Sequence, residues 1–188
     1  MGVLGFVTGF LAHESGHVLS NLTLGNVPRF RGIMVWGAIP FFAIEPTISC
    51  HGERCLKRGG DRFRPGRNGK FFIVTSGFHA QHIANEVMLS LSPALHREVA
   101  PFRKGWLLFN VFLSCMYAAG AWTGLEAPNG DLGGAAAMAH FNEIALSFAL
   151  LAPTAVDVYR YFVPESRNWS PWVARAAKAS FLGLTFTF

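Results

Sequence analysis

The sequence predicts an all-α membrane bundle of about four spanning or near-spanning helices with one re-entrant or hairpin segment. Three observations carry that prediction. Hydrophobic residues make up 51% of the 188-residue chain, and mean hydropathy is +0.31. Charged residues make up only 14%, where a soluble domain carries about 25%. Phe occurs 18 times and Gly 20 times, an excess that suits helices in lipid, where Phe partitions well and Gly is tolerated. The length fits one domain, taken as residues 1–188.

The elements follow in chain order. An apolar segment from Met1 to Leu24 is long enough to cross a bilayer, which needs about 20 residues. The run Gly25-Asn26-Val27-Pro28 stops it. Residues 32–48 are apolar but interrupted by Pro40 and Pro46, which favours a re-entrant loop or short hairpin over a span. Residues 51–70 form a basic, Gly-rich loop. Phe71 to Leu91 is an apolar helix with a polar stripe, since Thr75, His79, His82 and Glu86 share one face by three-and-four spacing. Pro93 to Gly105 is a second loop with a basic excess. Trp106 to Leu125 is a clean span, 126–131 an acidic turn, and Gly134 to Phe162 a tilted span broken near Pro153. An interfacial tail, 164–188, carries Trp169 and Trp172 as anchors and Arg175 and Lys178 on a surface helix.

Charge and cysteine content narrow the classes. The net charge of +5 comes from basic residues in loops, which fits cytoplasmic loops and anionic headgroups rather than nucleic acid. The positive-inside rule places loops 51–70 and 93–105 on the same side, so either 71–91 is re-entrant or interfacial, or one loop breaks the rule. Three cysteines form no even disulfide framework. Cys50 and Cys55 bracket His51, but not at a zinc-ribbon spacing. The N-terminal apolar segment contains His13, Glu14 and His17, which a cleavable signal would not.

The chemistry is concentrated in Ala12-His13-Glu14-Ser15-Gly16-His17, an H-E-x-x-H pattern. On a helix, positions i and i+4 share a face, so both imidazoles can bind one metal ion. Glu14 lies beside that ion, where a carboxylate can take a proton from the attacking water and return it to the leaving amine. Ionisable groups inside an apolar span are costly, and functional by default. The competing reading is a buried histidine pair bonded to neighbouring backbone.

His13-Glu14-Ser15-Gly16-His17, followed by an apolar turn and Leu24-Gly25, resembles the first motif of the site-2 protease family of intramembrane metalloproteases. The resemblance covers about the first 45 residues, plus a looser match at Pro128-Asn129-Gly130-Asp131-Leu132-Gly133-Gly134. In the family the Asp follows a Leu; here it precedes one. The resemblance implies a multi-pass protein of a bacterial inner membrane, with a zinc cofactor and a membrane or juxtamembrane peptide substrate. Residues 37–42 would then present an edge to that substrate.

A zinc site needs a third protein ligand and leaves one position open. Asp131 is the first choice and Asp157 the alternative. An N-cap would be the ordinary role of the former, and an ion pair with Arg160 that of the latter. His79, His82, Glu86 and Asn85 are candidates for a further ligand or for a polar access path. Asn85 or Asn142 could hold the substrate backbone, and His140 and Glu143 would support the site from outside. Two further readings compete. A membrane di-iron oxidase or hydroxylase would use His13/His17 and His79/His82 as histidine boxes. A catalytically inactive membrane scaffold would keep the motif without turnover. The oligomeric state has no signature in the sequence.

Overall fold

The computed structural model describes residues 1–25, 28, 30–35, 39–44, 57–58, 61–62, 66–125 and 130–184. The architecture is an all-α bundle of six helices. These are α1 (Gly2–Thr23), α2 (Arg67–Leu91), α3 (Pro101–Thr123), α4 (Asp131–Ala139), α5 (Glu143–Phe162) and α6 (Ser170–Gly183). Between α1 and α2 lie two small antiparallel hairpins, β1 (Phe30–Val35) with β2 (Ile39–Ile44), and β3 (Lys57–Arg58) with β4 (Asp61–Arg62). The expected re-entrant or hairpin segment is thus a β-hairpin at 30–44, and β2 runs beside α1. Cys50, His51 and Cys55 lie outside the described residues.

Helix α1 packs on α3 and α2, while α2 also meets α4, α5 and α6. The main core joins Phe71, Val74 and Phe78 of α2 to Leu132, Ala135, Ala136 and Ala139 of α4, Leu146 and Leu150 of α5, and Phe181 of α6. A smaller cluster of Leu89, Leu95, Ala100 and Leu107 closes the far end of α2. Among the described residues one helix, Pro101–Thr123, is long and apolar enough to cross a membrane, and 39% of its apolar window is buried.

The helix boundaries differ from expectation in three places. Arg67 to Lys70 belong to α2 rather than to the preceding loop. Helix α3 starts at Pro101 rather than Trp106, because proline at the first helical position costs no backbone bond. The expected span 134–162 is two helices. His140 takes a left-handed conformation (φ 54°) that ends α4, and the Asn142 side chain accepts a hydrogen bond from the Ala145 amide to start α5. Pro153, expected to break the span, sits inside α5. Nor is 164–188 only a surface tail, since α6 buries Ala174 and Phe181.

The pattern of α1 is reversed relative to a helix in water. It buries Gly5, Gly9, His13, His17, Ser20 and Asn21, and exposes Val3, Leu4, Val7, Leu11, Leu19 and Leu22. A water-facing helix does the opposite. The glycines let α1 lie almost on its neighbours: a Cβ at Gly5 would collide with the Phe102 backbone, and one at Gly16 with the backbone of Ser76.

Candidate metal centre

The helical repeat of α1 places His13 and His17 one turn apart on its buried face. Their Nε2 atoms lie 3.2 Å apart. Both meet the same Asp131 oxygen, Oδ2, at 3.0 Å from His13 and 3.2 Å from His17. Asp131 is brought there by α4, whose N-cap is Gly130; its carboxylate therefore does no capping. The positive end of α4 favours a carboxylate in that first turn. Burial would push the Asp131 carboxyl up, but the two imidazoles outweigh it and hold the carboxyl below the usual carboxylate range.

The hydrogen bonds around His17 decide what the cluster can hold. His17 Nδ1 lies 2.8 Å from the Ile73 carbonyl oxygen. That oxygen can only accept, so Nδ1 carries the hydrogen. In a neutral imidazole Nε2 is then a bare lone pair. It faces a carboxylate oxygen, also an acceptor. Two acceptors at 3.2 Å require a positive charge between them, either a proton or a metal ion. The triangle of ligand atoms, with edges of 3.0, 3.2 and 3.2 Å, is close to the roughly 3.3 Å separation of ligands on a tetrahedral zinc ion. The buried His13, His17 and Asp131 group could hold a metal ion.

Helix α2 forms the floor of this site. Gly77 packs directly on both imidazoles, so closely that a Cβ there would overlap His13 and His17. The Ser20 and Ser76 hydroxyls bond across the same crossing at 2.9 Å. Phe78 sets its ring edge-on against His13 and Tyr117. Tyr117 of α3 donates its hydroxyl to Asp131 Oδ2 at 2.8 Å. Gln81 is buried on α2, and neither of its side-chain polar atoms finds a partner among the described residues. Half-buried Glu14 lies within electrostatic range of His17 and Asp131, and makes no hydrogen bond among the described residues.

The remaining candidates lie elsewhere. Asp157 is fully buried in α5 and accepts from Lys178 at 2.8 Å and Arg160 at 3.3 Å. Glu86 belongs to that same ion cluster. It accepts from Arg160 (2.7 Å), Arg175 (2.8 Å) and Lys178 (3.0 Å). His79 bonds to Thr75 and stacks on Phe72. His82 packs edge-on against Phe181, and neither ring nitrogen finds a partner among the described residues. Asn85 pairs with Asn110 at 2.6 Å. Asn142 is occupied as the α5 cap. His140 ends α4, and Glu143 stands in the first turn of α5.

Tyr117, Gly77 and the Ile73 carbonyl were not singled out from the sequence. Tyr117 carried a usable signal, because a hydroxyl within an apolar span must find a partner. A backbone carbonyl carries none.

Fold and site together define a helical bundle with a candidate mononuclear metal centre of two histidines and one aspartate. No protein-family model matches the chain, and neither the curated proteins nor the solved structures yield a match.

Proposed function

We propose that the chain is a membrane-embedded zinc metalloprotease that hydrolyses peptide bonds of membrane or juxtamembrane substrates. The observation that carries this reading is the convergence of His13 Nε2, His17 Nε2 and Asp131 Oδ2 to within 3.2 Å of one another, with Glu14 in the turn between the two histidines. Two nitrogens and one carboxylate oxygen are a donor set that suits zinc and leaves a fourth position free.

When bound, zinc would supply a Lewis acid that polarises the scissile carbonyl and acidifies water. This chain's residues do the rest. The Ile73 carbonyl fixes the tautomer of His17, and the Tyr117 hydroxyl fixes the direction of Asp131. Glu14 accepts the proton of the water that attacks the carbonyl carbon. It then delivers that proton to the amine as the C–N bond breaks.

The reversed pattern of α1 supports the membrane placement. Besides the exposed Val3, Leu4, Val7, Leu11, Leu19 and Leu22 of α1, Leu108 and Phe112 of α3 and Phe148 of α5 are exposed. Apolar surface on that scale is costly in water and favourable against lipid. In this reading the bundle spans with about four helices. The hairpin beside α1 offers a strand edge to an extended substrate by β-strand addition.

A di-iron reading requires a second histidine box. His79 and His82 do not join the first pair, and among the described residues His13, His17 and Asp131 form the one candidate metal group.

Metal analysis of detergent-purified protein beside His13→Ala tests the proposal. It requires about one zinc per chain, lost in the variant. Iron in its place would point to oxidase chemistry, and no metal in either protein would reduce the motif to a structural histidine pair. Glu14→Gln then separates enzyme from inactive scaffold: metal is retained, and cleavage of a membrane-protein substrate falls by about 10²–10⁴-fold.

A further inference from the structure

Away from the metal centre, the last turn of α2, the turn Pro164–Asn168 and the first turn of α6 enclose a cleft of about 390 Å³. Its polar lining is Ser90, Arg160, Ser166, Asn168, Ser170 and Arg175. Behind that lining lies the ion cluster in which Glu86 and Asp157 accept from Arg160, Arg175 and Lys178. Three cations meet two carboxylates, so one positive charge stays uncompensated. The arrangement is also directional. Both guanidinium groups line the cleft, whereas neither carboxylate does. The positive end of α6 points the same way, for Ser170 and Pro171 form part of the wall.

The surroundings say where an anion would come from. Trp169 and Trp172 are exposed next to the cleft, and the Arg175 guanidinium lies over the Trp172 ring at 5.5 Å. Exposed tryptophans mark the headgroup level of a bilayer. An adjoining cleft of about 440 Å³ is bordered by Arg97, whose charge is met by Glu165 at 3.1 Å. The free positive charge is therefore that of the Arg160–Arg175 wall.

We infer that this cleft binds a phosphate group, and that its source is the headgroup of an anionic phospholipid. Arg160 is forked onto Glu86, and Arg175 has Nε on Glu86 and Nη2 on Ser90; Arg175 Nη1 remains to make a charge-assisted bond to a phosphate oxygen. Ser90 and Ser166 already donate to Glu86 and to the Val163 carbonyl, so the Ser170 hydroxyl and the Asn168 amide complete the set of donors. The inference rests on the membrane placement above and not on the zinc chemistry.

Native mass spectrometry of protein in neutral detergent tests it, titrating phosphatidylglycerol against phosphatidylcholine of the same chain length, with inorganic phosphate as competitor. Phosphatidylglycerol is expected to be retained in preference and displaced by phosphate. Arg175→Gln is expected to weaken retention roughly tenfold, as for loss of a charge-assisted bond, and Arg175→Lys to restore part of it. Asn168→Asp keeps the ion cluster intact and places a negative charge in the cleft; it too is expected to weaken retention. Metal content should be unchanged in all three variants. Phosphate binding without preference for the anionic lipid would overturn the lipid source. Equal retention of both lipids with no phosphate binding, or retention unaffected by Arg175→Gln and Asn168→Asp, would overturn the site. A wild-type chain that fails to insert into liposomes would remove the membrane placement while leaving the phosphate measurement in detergent intact.

Discussion

The bundle holds two clusters of ionisable side chains. In the cluster of Glu86, Asp157, Arg160, Arg175 and Lys178, carboxylates meet cations at 2.7–3.3 Å. In the cluster of His13, His17 and Asp131, the atoms that meet at 3.0–3.2 Å are all candidate acceptors. The first holds its helices together with charges it already possesses. The second sets two imidazoles against one carboxylate oxygen, an arrangement that a proton or a metal ion can bridge. Burial alone therefore does not mark a functional group in an apolar bundle; what marks it is a set of lone pairs aimed at one point.

The largest expected effect that separates the two clusters is on metal content. His17→Ala should abolish zinc binding in purified protein, whereas Lys178→Met, measured in the same way, should leave the zinc content of the folded fraction unchanged. Next come the two aspartates, which were alternatives for one role. Asp131→Asn should lose most of the zinc at equal total metal, and Asp157→Asn should keep it; the opposite result would exchange the roles of the clusters. Gly77→Ala tests the floor of the site. Because its Cβ would overlap both imidazoles, zinc content should fall even though no ligand is changed, as read by metal analysis alongside circular dichroism. The smallest effect is expected for Tyr117→Phe, which removes one hydrogen bond to Asp131. Competition with a zinc chelator should show roughly tenfold weaker binding.

Much of this comparison was legible in the sequence, for reasons that differ residue by residue. The spacing of His13, Glu14 and His17 is a local property of one helix, so reading it needs no tertiary information. Asp131 was legible as a candidate through the loose family resemblance at 128–134, but its rivalry with Asp157 was not resolvable. That choice depends on where Arg160 and Lys178 fall, and α6 was read only as a surface element. The hairpin at 30–44 was one of two expected forms for a stretch with Pro40 inside it. The division of 134–162 was missed because Pro153 is a louder signal than His140. Yet a proline in α5 was accommodated, while a left-handed histidine ended α4. Tyr117 and Gly77 act through contacts between distant segments, and no local pattern announces them.

Where α1 crosses α2, a Cβ at Gly16 would meet the Ser76 backbone and one at Gly77 both imidazoles. Helices touching in this way cannot slide past one another without collision, and both imidazoles ride on that locked pair. Asp131 comes on a nine-residue helix from outside it. The centre is thus built from a fixed jaw and a separate third arm.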